Sequence, residues 1–264
     1  MLGSGWAVVD AVAAVWLSGL VVFHRQWLRW TACMIVVGLS IFWIKYYLRP
    51  PRESGPHRPT CANNLRNIAL ALNNYESTYR RFPPAYIADE SGKPMHSWRV
   101  LILPFLDHKH LYDQYNFDEP WDGPNNSRLH DAFMHAFRCP KDQPAENVTD
   151  TSYVVVVGPN TIFRGAESLG LDYIVRTDDA SRTLMVVEVA NSGIHWMEPR
   201  ELHVTQMATT INPPAGQGIS SNHPGGVYVS FSDGRIRFLD GEAVSQKQLQ
   251  SMLTVGDGEE VDID

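Results

Sequence analysis

The stretch Val227–Leu239 leaves this chain little freedom in its local fold. Two short runs, Val227–Phe231 and Arg235–Leu239, alternate or nearly alternate apolar and polar residues on either side of Ser232-Asp233-Gly234. Asp-Gly between two such runs predicts a β-hairpin, because glycine accepts the positive φ that the turn requires. Just ahead, His223-Pro224-Gly225-Gly226 allows a second tight turn without a side-chain clash. The stretch supplies no nucleophile and no evident acid–base pair. It specifies folding before it specifies chemistry.

A different period governs the region after Thr60. Leu65, Ile68, Ala69, Leu72, Tyr75, Tyr79 and Phe82 recur at three- and four-residue spacing, which predicts an amphipathic helix capped by Thr60 and ended by Pro83-Pro84. A loop-rich stretch, 85–151, follows, with short helical pieces expected around Trp98–Leu106 and Ser127–Ala136. Strands are predicted at Ser152–Val157, Tyr173–Arg176, Arg182–Val189 and Glu201–Gln206, besides the hairpin, and a short helix at Ser245–Leu253. A long helix laid on an antiparallel sheet is an α+β arrangement.

Set together, two stretches carry a resemblance: the C-terminal one and Cys61-Ala-Asn63-Asn64-Leu65, which opens the helix. With Ser97–Leu106, Phe137–Asp142, Thr183–Glu188 and Trp196–Pro199, they resemble the bacterial domain-of-unknown-function family number fifteen fifty-nine over about Cys61–Asp264. Its members look like pseudopilins of type II secretion, pseudopilin G among them. The resemblance implies a pilin-like domain outside the cytoplasm, a structural or protein-binding role, and other envelope or pseudopilin-like proteins as partners. It brings no catalytic residues. Asn63, Asn64, Leu65, His223, Pro224, Gly225, Gly226, Asp233 and Gly234 carry the family signature and read as structural. Cys61 and Cys139 match positions where the family tends to have cysteine, so the resemblance makes them a possible disulfide in an oxidising compartment.

The N-terminus departs from that family, since no prepilin signal motif is present. Trp6–Phe23 is apolar apart from Asp10 and Ser18, and Trp30–Ile44 is apolar apart from Thr31 and Ser40. A membrane-spanning helix needs about 20 apolar residues. Two transmembrane helices, about 6–23 and 28–48, are therefore expected, forming an anchor over 1–48, with a proline-rich linker at 49–59 and the soluble domain at 60–264. A cleaved signal peptide fits less well, because Met-Leu-Gly-Ser-Gly carries no basic residue. Counting Lys and Arg alone would put the domain on the cytoplasmic side of an inner membrane. The resemblance implies the opposite side, and that placement is the one favoured.

Chemistry is sparse. The chain has a formal net charge of −7 and no basic aromatic-rich stripe, which argues against nucleic acid. No P-loop, dinucleotide fingerprint or nucleophile elbow occurs, so no enzyme and no cofactor are expected. No CxxC pair is present, and His108-x-His110, His130, His135, His195 and His203 fix no third ligand by spacing; no metal site is expected. Asp178-Asp179 lacks a calcium-loop spacing and reads as a turn. His223 is read as bonding the backbone of its glycine-rich turn, and Glu188 as pairing with an arginine. The competing functional class is a surface glycan-binding module using Trp98, Trp121 and Trp196, with a hydrolase a distant third.

Overall fold

The structure is a computed structural model, which describes residues 57–132, 134–142, 148–214 and 217–256, together with Met34, Leu39 and Ser40. The chain divides into two compact units, Met1–Glu53 and Ser54–Asp264. In the first, the three described residues are helical. The second contains everything that follows.

Its long helix, α1, spans His57–Tyr79. Cys61, Leu65, Ile68, Ala69, Ala71 and Leu72 are buried along one face, whereas Asn63, Arg66, Asn67 and Asn74 are exposed. Each large aliphatic side chain so buried contributes about 1.5–3 kcal/mol of apolar transfer. The helix begins inside the expected proline-rich linker, with Pro59 in its first turn, where the missing amide proton costs nothing. It stops before Pro83: Arg80 turns left-handed at φ 62°, and its amide donates to the Glu76 carbonyl. Tyr79 is thereby turned outward, off the predicted stripe, while Phe82 folds back into the core.

Strands β1 (Tyr86–Ala88) and β2 (Pro94–Ser97) form a small antiparallel hairpin that the sequence did not announce. Two short helices follow, α2 at Trp98–Leu101 and α3 at Lys109–Tyr112, together with 3₁₀ turns at Leu103–Leu106, Asn126–Leu129 and His135–Phe137. Then come β3 (Tyr153–Val154), β4 (Val156–Val157), α4 (Leu171–Thr177), β5 (Leu184–Glu188), β6 (Leu202–His203), β7 (Gly226–Phe231), β8 (Ile236–Asp240) and α5 (Gln246–Leu253). The main sheet is antiparallel in the order β3-β5-β7-β8, and β4 pairs in parallel with β6. The expected strand at Tyr173–Arg176 is instead α4. Its first amide is capped by the Glu76 carboxylate at 3.1 Å, a tertiary contact that overrides the β-branched local preference.

The sheet is covered on both faces. Leu65, Ile68 and Leu72 of α1 share one core with Tyr153, Met185 and Val186. Leu249, Met252 and Leu253 of α5 share another with Val187, Val227, Val229, Phe231 and Leu239. Double coverage explains why β5, Leu-Met-Val-Val-Glu, is buried at every position instead of alternating. The predicted hairpin is present, with Gly234 at φ 86° closing the turn. Gly226 is needed for a different reason, because a β-carbon there would collide with the Leu239 carbonyl oxygen. The Ser245 cap of α5 is completed reciprocally by Gln248.

The fold class is thus α+β, a helix on an antiparallel sheet. The two N-terminal transmembrane helices are a correction to that expectation. Among the described residues no helix is long and apolar enough to cross a membrane. The long helix α1 carries mostly polar side chains on its exposed face, and apart from Met34, Leu39 and Ser40 the segments 6–23 and 28–48 lie outside the described residues.

One buried ion pair ties the irregular stretch to the strands. Arg99 and Glu201 have side chains 0% and 1% exposed and meet at 2.9 Å, with a second guanidinium bond at 3.1 Å. Arg99 also donates to the Tyr153 carbonyl, the Ser97 hydroxyl and the Glu198 carbonyl; Glu201 also accepts from Trp98 Nε1 and the Val155 amide. Removing one partner leaves a buried charge uncompensated, a loss of about 3–5 kcal/mol. Arg99→Met should therefore destabilise the domain by that amount in denaturant unfolding. Arg99→Met combined with Glu201→Leu should recover at least half of it; an additive double mutant would show that the pair is not coupled.

Candidate functional site

Four buried groups from four parts of the chain meet beneath α1. Cys61 lies in the second turn of α1, and Cys139 follows the 3₁₀ turn His135–Phe137. Glu188 ends β5, and His223 precedes β7 in its glycine-rich turn. Their exposures are 0%, 2%, 1% and 3%. One sulfur, nitrogen or carboxylate oxygen from each lies within 4.8 Å of all the others.

The two sulfurs are 2.6 Å apart. Cys139 Sγ stands 3.5 Å from His223 Nε2, which in turn stands 3.6 Å from Glu188 Oε1. Glu188 Oε2 accepts the Tyr228 amide at 2.7 Å, while Glu188 Oε1 and His223 Nδ1 are buried without a hydrogen-bond partner. Burial pushes the Glu188 carboxyl up from its ordinary value, and the His223 ring and Tyr228 amide offset part of that rise. For His223 burial acts downward, but contact with the Cys139 sulfur and the Glu188 carboxylate prevails and raises it to about 9. The Cys139 thiol is raised by its Cys61 partner and by burial.

Local sequence explains how each group is delivered. Asn64, one turn from Cys61, donates to the carbonyls of Arg138 at 2.8 Å and His135 at 3.1 Å, so α1 grips the loop that carries Cys139. The Cys139 amide donates to Ser152 Oγ, which donates to Asp142. Ser221 Oγ accepts the His223 amide and donates to the Gly226 carbonyl, closing the turn. Two readings from sequence are corrected here. The His223 side chain points to Glu188 and Cys139, not to its turn backbone, and Glu188 meets a histidine instead of an arginine.

The structure brings together Cys61, Cys139 and His223 but leaves the other signature residues in supporting places. Leu65 is in the core, and Asn63 is exposed, accepting from Arg66. Pro224, Gly225 and Gly226 shape the turn into β7, and Asp233 and Gly234 shape the hairpin, where Asp233 Oδ1 accepts the Arg235 amide. The membership of Glu188 was not legible by spacing, because the four residues are far apart in sequence. Its signals were a lone carboxylate closing an apolar strand and its place in the Thr183–Glu188 phrase of the resemblance.

Other candidates disperse. Trp98 and Trp196 are 0% and 1% exposed, which removes two of the three aromatics of the glycan-binding reading. The third, Trp121, stacks on His130 and His195 at 5.1 and 5.4 Å. Asp179 caps its own turn through the Ser181 amide and hydroxyl and pairs with Arg182, as a turn residue does.

Residues 57–173 match the family described as Protein of unknown function (DUF1559). Over that stretch the chain is similar to this family. No curated protein and no solved structure matches it. Within the DUF1559 stretch lie α1, Cys61, Asn64 and Cys139, whereas Glu188 and His223 lie beyond it. The matched segment therefore supplies both sulfurs and the sheet supplies the remaining two groups.

Two measurements follow from these contacts. Asn64→Ala removes a donor from the Arg138 and His135 carbonyls, the latter keeping the Arg138 amide, and should cost about 1–2 kcal/mol in denaturant unfolding. It should also speed alkylation of Cys139 in the folded, reduced protein; unchanged alkylation would separate Asn64 from the placement of that loop. His195 is held below its ordinary value by burial beside His130, so the fold favours its neutral ring. A base with a lowered folded pKa contributes stability above pH 6.5 that is lost as pH falls below that value. His195→Gln should flatten this acid-side slope in thermal melts, and an unaltered slope would assign the loss to other groups.

Proposed function

We propose that this DUF1559 domain is a non-catalytic, protein-binding structural module of the bacterial cell envelope, working outside the cytoplasm in the manner of the pseudopilins that the sequence resembles. Its partners are other envelope proteins of similar build. The observation that carries this reading is the sealing of the reactive groups: the two thiols, the carboxylate and the imidazole that meet at one point are each at most 3% exposed. A substrate has no approach to a nucleophile enclosed in that way, whereas a structural clamp between helix, loop and sheet needs no approach.

Three further features support it. A helix on an antiparallel sheet agrees with the pilin-like arrangement that the resemblance implies. Cys61 and Cys139 are free thiols in this structure, with sulfurs 2.6 Å apart, and neighbours so placed can pair where thiols are oxidised. The net charge of −7 suits protein partners and not nucleic acid. Protease treatment of intact spheroplasts producing the full-length chain, read with an antibody to its C-terminus, tests the placement. Digestion without lysis is the expected result. Protection until lysis would overturn it and move the partners into the cytoplasm.

A further inference from the structure

A disulfide between Cys61 and Cys139 accounts for the two sulfurs and for nothing else at this place. It does not explain why Glu188, a carboxylate 1% exposed, is drawn to the same point. Its Oε2 is held by the Tyr228 amide, but Oε1 faces the cluster with no hydrogen-bond partner. A buried carboxylate oxygen left unbonded costs about 1–3 kcal/mol or more, and a cation is one of the few occupants that relieves it.

The donor set is two sulfurs, one imidazole nitrogen and one carboxylate oxygen. That is the ligand chemistry of a borderline-soft divalent ion of the zinc class, which prefers four such donors in a tetrahedron. With bonds of about 2.0–2.3 Å, the edges of such a tetrahedron run about 3.3–3.8 Å. Two edges already have that length: Cys139 Sγ to His223 Nε2 at 3.5 Å, and His223 Nε2 to Glu188 Oε1 at 3.6 Å. The Sγ–Sγ edge, at 2.6 Å, is too short, and all four atoms lie within 4.8 Å of one another. Small rotations of the two cysteine side chains would open it.

We propose that Cys61, Cys139, Glu188 and His223 form a zinc-class metal site when the two cysteines are reduced, and that metal loading and the Cys61–Cys139 disulfide exclude one another. Loading releases one proton from each thiol and one from His223 Nε2 to solvent, so the sulfurs bind as thiolates and the ring as a neutral imidazole. Two thiolates and one carboxylate carry three negative charges, and a divalent cation leaves one. The backbone of the site is already fixed. Tyr228 orients Glu188, Ser152 holds the Cys139 amide, and the Ser221-closed turn holds His223. A disulfide stabilises by linking α1 to one loop; the metal would add β5 and the turn before β7 to the same knot.

The test uses the full-length chain, reduced with a trialkylphosphine, which converts the disulfide to two thiols and is itself oxidised to the phosphine oxide. Cobalt(II) alone is the probe. The expected result is one cobalt per chain, with a thiolate-to-cobalt charge-transfer band and intense tetrahedral visible bands, both abolished by added zinc. Untreated disulfide-bonded protein should take up none. Cys139→Ser should lose the charge-transfer band in large part, and Glu188→Gln should weaken cobalt binding at least tenfold while keeping that band. Reduced wild-type chain with all three thiols of the sequence titratable and an unchanged circular dichroism spectrum that takes up no cobalt would overturn the proposal. Equal uptake by Cys139→Ser would do the same. Zinc content of wild-type protein made in a reducing cytoplasm provides a reading that needs no variant: about one per folded chain supports the site, and none overturns it. None of these outcomes bears on where the domain resides, so this proposal and the envelope reading stand or fall separately.

Discussion

The buried Arg99 guanidinium is the constraint on which the irregular half of this domain depends. Between Ala88 and Tyr153 the chain has few ladder hydrogen bonds of its own, so something other than a sheet must fix its path. The guanidinium does so by bonding at once to a strand carbonyl, to Glu198 and to Glu201. Trp98, its neighbour, bonds Glu201 and packs edge-on against Phe137, which stacks on Trp196. Cys139 lies two residues beyond Phe137. The place of the second sulfur thus rests on a charge pair far from it in sequence. Pairs of this kind give little net stability against an apolar replacement, but they penalise every arrangement in which one partner is left alone.

From that anchoring the three layers follow. A sheet buried on both faces cannot alternate apolar and polar residues, and β5 does not. Its one polar residue, Glu188, sits at the strand end, where neighbouring elements supply the Tyr228 amide and the His223 ring. Asn64 has a similar logic in miniature. It lies one turn from Cys61, and its amide nitrogen bridges two carbonyls of the loop, so sulfur and clasp arrive on the same face of α1.

What could be read beforehand was whatever is local. The Val227–Leu239 hairpin, the apolar stripe of α1 and the Ser245 cap are each written within a few residues, and each is present. Tyr173–Arg176 was misread as a strand because its β-branched composition is local while the Glu76 carboxylate that starts α4 is not. The β1–β2 hairpin escaped because Tyr86-Ile-Ala and Pro94-Met-His-Ser show no alternation long enough to detect. The apolar N-terminal runs illustrate the opposite failure, since composition alone suggested spanning helices that the described structure does not contain. That Cys61 lies beside Cys139 was suggested through the family resemblance alone, and the addition of Glu188 and His223 needed three dimensions. Contacts across 78 and 84 residues leave no spacing to read.

The two buried glutamates of this domain make an instructive contrast. Glu201 is surrounded by donors: a guanidinium fork, an indole N–H and a backbone amide, so both its oxygens are satisfied. Burial still pushes its carboxyl up, to about 7, against the pull of Arg99. Glu188 is buried as deeply with only a ring edge and one amide, and one of its oxygens is unbonded. Packing alone would favour replacing such a residue with an apolar one, because a half-satisfied polar group is worse than none. Glu201 is explained entirely by the fold it supports. Glu188 is not: its unbonded oxygen lies in a cluster with two thiols and an imidazole.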